Sequence, residues 1–266
     1  MATFINISDI YESNNLISHI IKVIITLIIL YALSFVCAFL YYYFKRRVIY
    51  FKYNRFVVSG TYGNILDYIG ASKVNLIVPV NSCFDTQIDD SVISANSLHG
   101  QVINFLYDND LVSQSDLDKK IKRSLKEQNI SSVNISNDVK QGGKSVGNYK
   151  RYPIGSTAFV DIGNVRYHFI ALSIIENNKN AKTSDQDYLI VLNAIVDNCF
   201  RNSNGNPIYL PLIGSGLSKL NYNHQQQLEF MVKYFMLRKT KLTSDVEIVI
   251  RKEDGDTISI LNLGER

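Results

Sequence analysis

The chain has 266 residues, 46% of them hydrophobic, and a formal net charge of +4. This length accommodates one large or two small domains with a real core. The positive charge is too weak and too dispersed to indicate a nucleic-acid-binding protein, although it suits an anionic ligand or membrane surface. The cysteines and histidines have neither CxxC nor HxxxH spacing, so we predict reduced thiols and no metal site. These residues are Cys37, Cys83, Cys199, His19, His99, His168 and His224.

The first predicted element is an uncharged apolar helix from Val23 to Phe44. A helix of this length measures about 33 Å, and the hydrocarbon core of a membrane is about 30 Å thick. A cleaved signal peptide would need a basic start and a shorter apolar run, whereas Asp9 and Glu12 precede this segment. We therefore predict a transmembrane helix with its basic flank over residues 20–47.

Positive charge follows this helix rather than preceding it. Lys45, Arg46 and Arg47 come directly after the apolar run, while Lys22 stands at its other edge. By the positive-inside rule, the chain after the helix lies in the cytoplasm. We predict a single-pass protein of the cell inner membrane, with a short extracytoplasmic tail over residues 1–19 and a cytoplasmic domain over residues 48–266.

Apolar runs and amphipathic patterns alternate beyond residue 55, which is typical of an α/β sandwich. The apolar runs predict strands at Arg55–Ser59, Val74–Val80, Thr157–Asp161, Val165–Ile175, Pro207–Ile213, Val246–Ile250 and Ile258–Leu261. Ser184 precedes one amphipathic pattern with Asp187 three residues later, which predicts a capping box. Asn223 is the predicted cap of a second helix.

Two segments between the predicted strands are expected to lie outside the core, one as a helix and the other as a loop. Ser115 is the predicted cap of a helix that is rich in lysine and short of core residues, so we expect this helix to project into solvent. Residues 129–152 are polar and contain glycine, and we expect a mobile loop there.

Several polar or glycine-containing breaks interrupt the strand and helix patterns. Gly214-Ser215-Gly216 follows an apolar run, as do Gly63-Asn64-Ile65 and the segment from Asn81 to Asp85, while Ser97-Leu98-His99-Gly100 precedes an apolar helix. Ligands of open α/β sheets sit beyond the carboxyl ends of strands, where glycine loops and helix starts present N–H donors to phosphate. Two such loops are expected to clamp a diphosphate; a tight turn that binds nothing is the alternative for the Gly214 loop.

Several motifs resemble those of macro domains, in macro-domain order over about residues 55–262. They are "GNI" (63–65), "VNLIVPVNS" (74–82), "IGSTAFVDIGNVRYHFIALSI" (154–174) and "LPLIGSGL" (210–217). More specifically, "NSCFDT", "SLHGQVINFLY", "YPIGSTA" and "LIGSGLSKL" resemble the macro domain of membrane-anchored effectors in type II Thoeris anti-phage systems. The resemblance implies a three-layer α/β/α domain with a mixed central sheet.

The resemblance also implies a ligand derived from ADP-ribose, with no cofactor. In such systems a partner TIR protein makes the signal from NAD, and the signal carries histidine. Asn64 and Ile65 would lie near adenine, while Asn81 and Asp85 would approach the distal end. The residues implied around the diphosphate and distal ribose are Ser97, His99, Gly100, Gln101, Gly214, Ser215, Gly216 and Leu217.

The sequence departs from the macro-domain pattern at three places. Asn64 replaces the aspartate that usually accepts a hydrogen bond from the adenine amino group, and one glycine, Gly100, replaces the usual triple-glycine run. Pro79 and Val80 interrupt the asparagine run of hydrolytic macro domains, which disfavours hydrolysis. For His99, a ligand contact and an ordinary surface position stay open.

Three function classes follow from these observations. The first is a membrane effector of abortive infection that binds its signal without turnover and then forms a homo-oligomer that disrupts the membrane. The second is a membrane-tethered ADP-ribosyl hydrolase, and the third is a scaffold whose macro fold has lost its ligand. Small residues in the apolar helix, Ala32, Ser34 and Ala38, would allow several helices to pack closely.

Overall fold

The computed structural model describes residues 16–44, 47–70, 72–89, 92–135, 146–175, 183–214 and 223–263. The chain separates into two compact units, Met1–Arg46 and Arg47–Arg266. The first unit contains helix α1, Leu16–Phe44. Its segment Ile20–Tyr41 is long and apolar enough to cross a membrane, and most of the described apolar side chains along it are exposed.

The second unit is built on a mixed sheet of seven strands among the described residues, in the order β1-β2-β9-β8-β3-β7-β6. These strands are β1 Arg47–Tyr53, β2 Phe56–Tyr62, β3 Val74–Asn81, β6 Thr157–Ile162, β7 Val165–Ser173, β8 Ile208–Pro211 and β9 Val246–Ile250. The short strands β4 (Val133–Asn134) and β5 (Lys150–Arg151) pair separately. Strands β2, β9, β8, β3 and β7 run parallel, whereas β1 and β6 are antiparallel edge strands.

Helices cover both faces of the sheet, because side chains that alternate along a buried strand point to opposite sides. The four α-helices described in this unit are α2 Leu98–Asp108, α3 Gln114–Glu127, α4 Asp185–Ala194 and α5 His224–Leu237. On β3, Leu76 and Val78 face a core shared with α2 and α3. Ile77 faces the core shared with α4 and α5. The expected three-layer α/β/α architecture with a mixed sheet is therefore confirmed.

Two of the three helix caps predicted from local sequence are confirmed. Ser184 and Asp187 form a capping box at the start of α4, and Asn223 forms one with Gln226 at the start of α5. Both are stabilised within one turn of chain, which is why local sequence is enough to find them.

The prediction that α3 projects into solvent is wrong. Leu117, Ile121 and Leu125 are buried in the core, and the Ser124 hydroxyl accepts a hydrogen bond of 2.8 Å from the backbone N–H of Phe159 on β6. The lysine residues occupy the other face of an amphipathic helix. The cap is Ser113 rather than Ser115.

Three further predictions need correction at the edges of the domain. Strand β1 was not expected, and its first residue, Arg47, lies in the predicted basic flank but forms a 3.0 Å ion pair with Glu247 of β9. The predicted loop 129–152 contains β4 and β5, and its residues 136–145 lie outside the described part of the chain. Residues 258–261 are not a strand, although Ile258 and Ile260 are buried.

Candidate functional site

A cavity of about 640 Å³ lies at the carboxyl ends of the parallel strands. The chain lines it with Gly63 and Asn64 after β2, Asn81 at the end of β3, Ser173 at the end of β7, Gly214 after β8, Arg251 after β9, and the first turn of α2. This volume falls within the usual range for small-molecule sites, about 300–1,000 Å³. Four of the breaks found in the sequence therefore meet at one place.

The start of α2 presents hydrogen-bond donors to the cavity. The Ser97 hydroxyl accepts a bond of 3.1 Å from the Gly100 N–H, and the Ser97 carbonyl accepts the N–H of Gln101. The N–H groups of Leu98 and His99 precede the first intrahelical bonds, and both residues line the cavity. Since a helix N-terminus carries partial positive charge, this turn favours an anionic group.

Gln101 and Gly100 have different roles in this turn. Gln101 lines the cavity, and its side chain donates a bond of 3.0 Å to the Asn96 carbonyl. Gly100 is buried behind the cavity wall, where a Cβ atom would lie 2.2 Å from the Ser94 carbonyl oxygen. The glycine that remains from the expected triple-glycine run thus permits close backbone packing.

His99 lines the cavity and is 8% exposed, so its alternative interpretation as a surface histidine is wrong. Burial lowers the pKa of its imidazole to about 3, against a smaller opposing effect of a hydrogen bond to the backbone of Asp85. A neutral imidazole can donate or accept a hydrogen bond but contributes no charge to phosphate binding.

Gly214 provides the second wall of the cavity. It follows Leu212 and Ile213, which anchor the end of β8 in the core, and its φ of +87° lies in the left-handed region that favours glycine. Its predicted companions Ser215, Gly216 and Leu217 lie outside the described residues.

The turn after β2 places Asn64 at another end of the cavity. The Gly63 N–H donates a bond of 2.9 Å to the Ile250 carbonyl, which holds this turn against the end of β9. Asn64 accepts a bond of 3.0 Å from the Leu66 N–H through Oδ1. Ile65 lines the cavity but is mostly buried in the core.

The two residues expected at the distal end lie on different cavities. Asn81 lines the main cavity, and its amide also holds the following loop, accepting from the Cys83 N–H and donating to the Val92 carbonyl. Asp85 is buried on a smaller cavity of about 450 Å³, where its carboxylate accepts the N–H of Asn148. The structure therefore does not bring Asp85 to the wall of the main cavity.

Sequence reasoning missed several lining residues. An apolar wall contains Ile93, Leu172 and Ile175, and the polar pair Arg251 and Asp254 follows β9. Apolar lining residues look like ordinary core in the sequence, and "RKEDGD" (251–256) looks like a solvated loop. Among the described residues, no group of three or more His, Cys, Asp or Glu side chains is arranged to hold a metal ion.

Comparison with known families covers most of the domain that carries this cavity. A family model described as Thoeris protein ThsA, Macro domain, matches residues 58–251. The chain belongs to the ThsA macro-domain family. The resemblance seen in the sequence motifs is thereby confirmed.

A curated member of the ThsA family supports the same assignment. The chain is 26% identical over 194 residues to Thoeris protein ThsA of Bacillus amyloliquefaciens (strain Y2). This alignment covers 71% of the present chain and 61% of that relative, so the chain spans less than two thirds of the relative's length. A macro domain of this family fits a binding role for the cavity.

Proposed function

We propose that this protein is a membrane effector of anti-phage defence whose macro domain binds an ADP-ribose-derived signal. The observation that carries the proposal is the convergence of three different ligand-binding features on one cavity. These are the first turn of α2, the glycine turn at Gly214 and the turn at Asn64. The first two suit a diphosphate and the third suits a base.

In this proposal the ligand lies along the carboxyl ends of the strands. Asn64 and the backbone of Ile65 hold the adenine end. The first turn of α2 holds the diphosphate from one side, and the loop that begins at Gly214 holds it from the other. Asn81, Leu172 and Ile175 surround the distal end, where a histidine-carrying signal would differ from plain ADP-ribose.

The proposed domain binds without turnover. General acid–base catalysis needs a titratable group within hydrogen-bond reach of the reacting bond. The Asp85 carboxylate faces a separate cavity, and the His99 imidazole is buried and its pKa is lowered to about 3. The Asp254 carboxylate lines the main cavity but is paired with Arg251. These placements favour a receptor over the alternative ADP-ribosyl hydrolase.

The signal in this proposal is histidine-ADP-ribose, made from NAD by a partner TIR-domain protein after infection. Helix α1 crosses the inner membrane once and leaves the macro domain in the cytoplasm. Binding favours an assembled state in which several α1 helices gather and disrupt the membrane, because a ligand shifts an equilibrium only through its differential affinity for the two states.

Titration calorimetry on the full-length protein in detergent micelles tests the binding step. Histidine-ADP-ribose is expected to bind more tightly than ADP-ribose, and both are expected to be recovered unchanged by chromatography after incubation. Release of histidine or free ADP-ribose would instead support the hydrolase. Failure of both compounds to bind would support a scaffold that has lost its ligand.

A further inference from the structure

The segment after β9 supplies a charged pair to the same end of the cavity as Asn64. Arg251 donates to the Asp254 carboxylate through Nε at 2.9 Å and Nη2 at 3.1 Å. Both residues line the cavity, and the side chain of Asp254 is only 17% exposed. A carboxylate has about four lone-pair positions, so it can accept a further hydrogen bond beside these two.

The fold fixes this segment against the Asn64 turn. The Tyr62 hydroxyl, at the end of β2, donates to the Ile258 carbonyl and accepts from the Ile260 N–H. The next residue, Gly63, donates to Ile250 at the end of β9. Asp254 ends a 3-10 turn that starts at Lys252 and is closed by the N–H of Gly255. The hydrogen bonds of the Tyr62 hydroxyl and of the Gly63 N–H therefore hold the Asn64 and Asp254 turns side by side.

Asn64 is oriented by a bond within its own turn. Its Oδ1 accepts the N–H of Leu66 at 3.0 Å, so its amide presents the two Nδ2 hydrogen atoms, which are donors, at the opposite end. This end of the cavity thus combines a donor from Asn64 with an acceptor from Asp254.

We propose that Asp254, positioned by Arg251, is the residue that selects adenine in this protein. This inference rests on the proposed binding of an ADP-ribose derivative. The adenine edge offers a donor, the exocyclic amino group, beside an acceptor, N1. Asp254 accepts from the amino group and Asn64 donates to N1. Hypoxanthine carries a carbonyl oxygen and a protonated N1 at the same positions, so it places acceptor against acceptor and donor against donor.

The charge of the Asp254 carboxylate should make the preference for adenine over hypoxanthine large enough to measure. A hydrogen bond to a charged group contributes more than a neutral one, and an unmatched pair adds a desolvation cost. We expect the wild-type protein to bind ADP-ribose at least about tenfold more tightly than inosine diphosphate ribose, its hypoxanthine counterpart. A local ion pair on a surface loop would give no such preference.

Asp254→Asn tests the proposal, since an amide is isosteric with the carboxylate but can present a donor or an acceptor. Full-length wild type and variants are titrated in detergent micelles with ADP-ribose and inosine diphosphate ribose. For Asp254→Asn we expect the preference for adenine to fall at least about fivefold, mainly through weaker binding of ADP-ribose. Thermal unfolding of each variant checks that the domain stays folded.

Glu253→Gln is the matched control, because it makes the same change of charge at the neighbouring exposed position outside the cavity lining. It should keep the wild-type preference. An unchanged adenine preference in Asp254→Asn, with ADP-ribose still bound by wild type, would overturn this proposal and leave the proposed function intact. Failure of wild type to bind either nucleotide would overturn both.

Discussion

Gly100 at the start of α2 lies directly against the backbone of Ser94, so that a Cβ atom on residue 100 would be 2.2 Å from the Ser94 carbonyl oxygen. The obstacle is backbone, and it cannot rotate away as a side chain would. Ser94 and the first turn of α2 both line the cavity. This contact therefore sets the position of the helix N-terminus relative to the cavity wall.

Gly100→Ala is expected to destabilise the domain by about 1–3 kcal/mol, since overpacking at a rigid contact forces a backbone shift. It should also weaken ADP-ribose binding, because the N–H groups of Leu98 and His99 move with the helix. Urea unfolding and calorimetry measure the two effects. Gly70→Ala is the control, as a Cβ there meets nothing within 4 Å. A Gly100→Ala protein with wild-type stability would contradict the packing role.

Gly214→Val is expected to abolish ligand binding. Its φ of +87° disfavours a branched side chain, and the residue lines the cavity. The strain should cost about 1–3 kcal/mol of stability. Gly205→Val is a matched control, since Gly205 also has a positive φ of +75° but lies outside the cavity lining. If Gly214→Val binds within a few-fold of wild type, the loop is only a turn.

Helix α1 is expected to hold the full-length protein in the inner membrane during carbonate extraction. The uncharged run Val23–Phe44 and the basic residues behind it motivate this prediction. Added protease should digest the macro domain in inverted vesicles and spare it in intact spheroplasts. Release of the full-length chain by carbonate, or the reverse protease pattern, would count against the prediction.

Binding and membrane damage are expected to be separable. A chain that lacks residues 1–44 should keep its affinity for histidine-ADP-ribose and lose toxicity in cells that make this signal. Asn81→Ala should stay in the membrane but respond more weakly, because the amide lines the cavity and holds the loop after β3. Toxicity of the truncated chain would point to an enzymatic activity of the macro domain.

Stability of the macro domain is expected to fall as the pH drops below about 6.5. Burial lowers the pKa of both His99 and His168 to about 3, so they stay neutral in the fold while the unfolded chain takes up protons. The free energy of unfolding is therefore unaffected by these histidines above their pKa in the unfolded chain, about 6.5. It falls as the pH drops from about 6.5 to about 3. At pH 5 the loss is about 2 kcal/mol for each histidine.

His168→Gln separates the two histidines. Glutamine can still donate to Asn75, which bonds the His168 ring in wild type, but it does not titrate. Chemical unfolding at pH 7 and pH 5 should therefore show about half of the wild-type pH dependence. An equal pH dependence in the two proteins would mean that His168 does not carry the effect.

Features that depend on residues close together in the chain can be predicted from the sequence of this protein. The apolar run of α1, the caps Ser184 and Asn223, and strands such as β9 each depend on residues within a few positions of one another. The family motifs also lie in short stretches, and they indicated the three-layer fold and the region of the cavity. These features can be predicted without knowing which segments are in contact in the folded chain.

Only the tertiary structure determines which residues are buried and which segments meet at the cavity. The sequence of α3 carries too few apolar residues to predict a core helix, yet its one apolar stripe packs against the sheet. Gly100 packs against the Ser94 backbone, and His99 forms a hydrogen bond with the backbone of Asp85. Both partners lie outside the helix that contains His99 and Gly100. Asp254 reaches Asn64's end of the cavity because β2 and β9 are neighbours in the sheet, although nearly 190 residues separate the two turns along the chain. Contacts across such distances depend on strand order, which no local pattern encodes.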